Sequence, residues 1–160
     1  MYDLVVCKRK MSISSIIIYI LLVLIVSTAV IHFVVASLGY RGSSDLIEFL
    51  EVGIQGETQE RQVEMALFIG AGIVYLGLFD WILKTKLRSK IPYIVVAAIS
   101  AILIATYAAS RTIGVPLVGV EYYISKLDIA NKVLEVIMIG ISVYLIFAVR
   151  KTMIKEEKIR

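Results

Sequence analysis

Four long apolar stretches separated by short polar ones dominate the chain, at about 13–38, 63–83, 91–110 and 133–149. A hydrocarbon core about 30 Å thick is crossed by roughly 20 apolar residues in a helix, and each stretch meets or approaches that length. The first, from Ile13 to Leu38, and the third, from Ile91 to Ser110, carry no charge. The second has Glu64 at one end and Asp80 at the other, and the fourth has Glu135 near its start. None alternates with the period of two that marks a barrel strand. The pattern predicts an all-α fold, an integral membrane four-helix bundle, with residues 1–160 forming one domain.

The connections carry their own signals. Asp45 and Glu48 have capping-box spacing, and Leu46, Phe49, Leu50 and Gly53 follow at helical spacing. A short amphipathic helix over about 45–54 is predicted on the membrane surface. A second helix is expected to start near Thr58 and run unbroken into span two. Gly114 and Pro116 cannot continue a helix comfortably, so span three is expected to stop there. Ser125 and Asp128 repeat the capping-box spacing and predict that the fourth helix begins before its apolar stretch.

Small residues suggest how the helices meet. Ala97, Ala101, Ala105 and Ala109 recur every fourth residue in span three, and Ala66 and Gly70 do so in span two. Close backbone approach matters in lipid, where apolar burial drives little association. The ridge is read as a seam inside the bundle, with docking of another subunit as the alternative.

Composition agrees with the membrane reading. Hydrophobic residues make up 59% of the chain and charged residues 19%, below the roughly 25% usual for soluble domains; mean hydropathy is +0.89. An ordinary soluble enzyme and a disordered chain are excluded. Cys7 is the only cysteine, so no internal disulfide can form. The net charge of +4 does not indicate nucleic acid, because twelve of the 17 basic residues fall on one side of a four-span arrangement. They precede span one (Lys8, Arg9, Lys10), fill the link between spans two and three (Lys84, Lys86, Arg88, Lys90) and follow span four (Arg150, Lys151, Lys155, Lys158, Arg160). Positive residues stay cytoplasmic, which places both termini inside the cell membrane. The first apolar run is too long for a signal peptide and reads as a retained anchor.

Candidate chemistry is sparse. His32 is the only histidine. The favoured reading makes it a cap at the membrane boundary. The alternative is a copper or zinc ligand with two of Glu60, Glu64, Asp128 and Glu135. No charge is expected near the middle of any span, which argues against a proton-coupled transporter. No phosphate loop, nucleophile elbow or zincin motif is present, and no catalytic residue, metal or cofactor is assigned. Arg111 ends span three and needs a carboxylate partner. Glu135 is preferred, with Glu121 and Asp128 as alternatives, and the pair is read as structural.

The stretch Ser110-Arg111-Thr112-Ile113-Gly114-Val115-Pro116, with Lys126-Leu127-Asp128-Ile129-Ala130-Asn131-Lys132-Val133-Leu134-Glu135, resembles small four-span membrane proteins of archaea and bacteria. The Ile-, Val- and Lys-rich texture is also similar to that of ammonia-oxidising archaea, whose copper-bearing ammonia monooxygenase carries small extra helical subunits. The resemblance implies an accessory or scaffold subunit, with catalytic metal ligands on other chains. The expected partners are the lipid bilayer and other integral membrane subunits, with no nucleic acid. The competing expectation is a stand-alone oligomeric transporter or channel.

Overall fold

The computed structural model describes residues 13–41, 58–114, 120 and 126–157, with side chains over 13–37, 62–114, 120 and 126–149. The described chain is all-helical. Helix α1 spans Ile13–Arg41, α2 Thr58–Thr85, α3 Ile91–Thr112 and α4 Lys126–Glu157. Each helix supplies a segment long and apolar enough to cross a membrane, over Ile13–Ser37, Gln62–Arg88 (which runs on past the end of α2), Ile91–Thr112 and Lys126–Val149. The chain is a multi-pass membrane protein built on a four-helix bundle.

The helix ends follow from local chemistry. Helix α2 starts at Thr58, where a second helix is expected. A single 3-10 turn, Lys86–Arg88, carries the chain from α2 toward α3, with Lys86 at φ 44°. Ser89 Oγ accepts the Ile91 N–H at 3.2 Å. Pro92 sits in the first turn of α3, where its missing N–H costs nothing. At the other end of α3, the N–H groups of Ile113 and Gly114 both donate to Ala109 O, at 3.0 and 2.9 Å. Gly114 takes φ 81°, a left-handed conformation that suits glycine at a helix C-terminus. Helix α4 begins at Lys126, well before its apolar stretch. The helix expected over 45–54 lies outside the described residues.

Packing is closest between α1 and α2 and between α3 and α4, with α1 against α4 next; α2 and α3 touch much less. The core contains Leu21, Ile25, Leu78, Ile82, Val96, Leu145 and Val149. Large apolar side chains also cover the outside, among them Val23, Ile73, Ile102, Val136 and Phe147. That surface would aggregate in water and is the normal outer face of a helix in lipid.

The expected alanine seam is corrected by these positions. Ala101 and Ala105 are exposed, and Ala97 and Ala109 are only half-buried. The buried face of α3 is instead Tyr93, Val96, Ser100 and Ser110. On α2, Ala66 is exposed and a Cβ added to Gly70 would meet nothing within 4 Å. The close approach lies at Gly72, where an added Cβ would sit 2.8 Å from the Phe33 ring. Spacing alone marks a face of a helix without saying whether it points inward.

Candidate functional site: a polar network inside the bundle

The end of the bundle where α2 and α4 begin holds most of the buried polar side chains. On α4, Asn131 and Glu135 stand one turn apart on the inward face, and Lys132 lies beside them. Glu135 is fully buried; its Oε2 receives Lys132 Nζ at 2.8 Å and its Oε1 receives Asn131 Nδ2 at 3.2 Å. Lys132 Nζ also reaches Leu103 O of α3 at 3.4 Å and lies 5.5 Å from the centre of the Tyr107 ring. The carboxylate thus has a cation and an amide donor within its own helix, at the i,i+3 and i,i+4 spacings that allow side chains to meet.

From α4 the network crosses to α1. His32 Nε2 lies 3.5 Å from Asn131 Nδ2 and 3.8 Å from Glu135 Oε1. The His32 ring stacks on Tyr75 of α2, with centroids 5.9 Å apart and planes 15° from parallel, and lies 5.7 Å from the Phe68 ring. Tyr75 Oη in turn lies 3.1 Å from Ser100 Oγ of α3. Contacts from Lys132 to Leu103 and Tyr107 return the path to α4. The polar and ring contacts therefore form a circuit that passes through all four helices.

Arg111 forms the outer edge of this region. Its Nη2 lies 3.3 Å from Asp128 Oδ2, and its guanidinium carbon is 4.9 Å from the Tyr107 ring centre. The sequence preference for Glu135 as the partner is thus corrected to Asp128, one of the two alternatives. The reason is depth. Asp128 is on the first turn of α4, level with the end of α3, whereas Glu135 is seven residues, about 10 Å, further along the helix. Glu121 lies outside the described residues.

Two further expectations change. His32 does not cap a helix at the boundary; it is 3% exposed and sits between α1, α2 and α4. The expectation of no charge near the middle of a span changes at Glu135, which lies close to the middle of the span-length segment Lys126–Val149, with Lys132 one turn nearer its start. Among the described residues, no group of three or more His, Cys, Asp or Glu side chains is placed to share a metal ion. The sequence places Asn131 on one helix face with Asp128 and Glu135, and gives Lys132 no role in this site. Their spacing to Glu135 was the available signal.

Among the described residues, the fully enclosed polar atoms with no hydrogen-bond partner include His32 Nδ1, Thr28 Oγ1, Tyr107 Oη, Asn131 Oδ1 and Ser142 Oγ. Thr28 lies one turn before His32, and Ser142 two turns beyond Glu135, each on the inward face of its helix. Such atoms are costly to leave unsatisfied, so this zone is chemically the least settled part of the interior. No family model, curated protein or solved structure matches the chain.

Proposed function

We propose that this chain is a non-catalytic accessory subunit of a larger membrane assembly, with its outer α3 face as the docking surface. The observation that carries the reading is the exposed row Ala98, Ala101, Ala105 and Ala108. These residues are not used in the bundle's own packing, and small side chains let a neighbouring helix approach closely in lipid. The limited contact between α2 and α3 leaves that flank of the bundle accessible. The internal circuit supports a scaffold role, because it ties the four helices to one another. An archaeal copper-dependent ammonia monooxygenase, suggested by the sequence texture, is the first assembly to test. The proposed location is the cell membrane, with both termini cytoplasmic on the charge distribution.

Gentle solubilisation, native electrophoresis and mass spectrometry test this reading. The expected result is stable co-migration with different integral membrane chains, lost in an Ala101→Leu/Ala105→Leu variant whose own melting temperature is unchanged. Migration only as a monomer or homo-oligomer would overturn it.

A second reading, a small transporter or channel, is favoured by the buried His32, Asn131, Lys132 and Glu135 network and its unpartnered atoms. Ionisable side chains inside spans commonly mark ion or proton pathways. Solute or proton flux into liposomes containing only this chain, abolished by Glu135→Gln, would support that reading over the first.

A further inference from the structure

We propose that the groove between the start of α1 and the end of α2 is a binding site for an anionic phospholipid. The groove encloses about 140 Å³ and is lined by Ser15, Ile18, Tyr19, Leu22, Leu83, Lys86 and Leu87. Its polarity is graded along the bundle axis. Ser15 and Lys86 stand at the mouth, at the basic end of the bundle. Ile18, Leu22 and Leu83 lie deeper, and Leu22 is about 10 Å along α1 from Ser15. A soluble anion has no use for the apolar wall, and a hydrocarbon chain has no use for the lysine. A phospholipid matches both, with its phosphate against the Lys86 ammonium and Ser15 hydroxyl and its acyl chain against the wall.

The mouth is held in shape. Lys86 has φ 44°, and its carbonyl accepts the Tyr93 hydroxyl at 2.6 Å, so the turn is fixed from below by a buried side chain of α3. Lys84 is engaged with Asp80 at 2.6 Å, which leaves Lys86 as the cation lining the groove among the described residues. Arg88 and Lys90 follow in the same link but do not line the groove.

The test is native mass spectrometry of the purified full chain, equilibrated with equal amounts of phosphatidylglycerol and phosphatidylcholine. The expected result is one retained phosphatidylglycerol, preferred at least about fivefold. Lys86→Asn suits the left-handed backbone while removing the charge, and should abolish the preference. Leu83→Trp fills the groove and should reduce retention of both lipids. Lys90→Gln removes one charge from the same link outside the groove and should leave the preference intact. Equal retention of the two lipids, an unchanged preference in Lys86→Asn, or an equal loss in Lys90→Gln would overturn the proposal. Displacement of the lipid by millimolar glycerol phosphate would also overturn it, by showing that a free anion suffices.

Discussion

The two halves of the bundle are held together by different physics. Toward the basic end the described interior is mainly apolar, with Leu21, Ile25, Leu78, Ile82, Val96, Leu145 and Val149 in contact. Toward the opposite end His32, Glu64, Ser110, Asn131 and Glu135 are buried. In lipid the apolar half gains little from leaving its surroundings, so its stability rests on close fit. The polar half has a stronger reason for a fixed arrangement, because a charge separated from its partner there has no water to turn to. One half depends on close fit, and the other specifies which helix lies against which.

The largest effect is expected where a charge is left alone. Lys132→Met removes the cation from a carboxylate that is fully buried, and should destabilise the bundle by about 3–5 kcal/mol. Reversible unfolding in mixed detergent micelles measures this, and a change near zero would show that the pair does not hold the polar half. Next comes the apolar half. Leu145→Ala, at a side chain with no exposure, should cost about 2–3 kcal/mol in the same assay, the lower part of the range for core cavities. A cost above that of Lys132→Met would reverse the ranking of the two halves.

Arg111 and Asp128 sharpen the comparison at its edge. Their side chains are 13% and 20% exposed, so Arg111→Ala should cost about 1–2 kcal/mol, between surface and buried pairs. Arg111→Lys should recover only part of this, because the planar fork is lost. Equal stability of Arg111→Ala and the parent chain would remove the pair from the account.

The glycines of α2 give a smaller pair of opposite signs. Gly72→Ala drives a Cβ to within 2.8 Å of Phe33, and should cost about 1 kcal/mol. Gly70→Ala meets open space, and should gain about 0.5–1 kcal/mol from helix propensity. Matching signs in thermal melts would contradict the packing at Phe33. The smallest effect is expected at Lys84 and Asp80, whose side chains are 72% and 60% exposed. Lys84→Gln should leave the melting temperature within error.

The spans and their punctuation were legible in the sequence because length, apolarity and turn chemistry suffice for them. Thr58 and Gly114 fall where those rules put a helix start and a helix end. The inward faces were harder to read. In water an apolar stripe marks the inside of a helix, but in lipid both sides are apolar and the stripe carries little information. The spacing of the α3 alanines therefore marks a face without telling which way it points. What marks the inside here is polarity: Thr28 and His32 on α1, Tyr75 on α2, Ser100 and Ser110 on α3, and Asn131, Glu135 and Ser142 on α4 are all buried. The depth of Glu135 is hard to read from sequence because the apolar stretch starts at about Val133, whereas the span-length segment begins at Lys126. A lysine and an asparagine beside the glutamate shorten the apolar run without ending the helix.

The central claim is that an ion pair on a fully buried carboxylate, closed into a circuit through His32 and Tyr75, fixes the polar half of this bundle. A double-mutant cycle on Lys132→Met and Glu135→Leu tests it most directly, measured by reversible unfolding in micelles with native electrophoresis of each variant. Lys132→Met should be strongly destabilised and Glu135→Leu measurably so. The double variant, with no charge left to strand, should recover most of the loss from Lys132→Met, a coupling of about 2 kcal/mol or more. Additive losses, with the double variant the least stable of the four, would contradict the account.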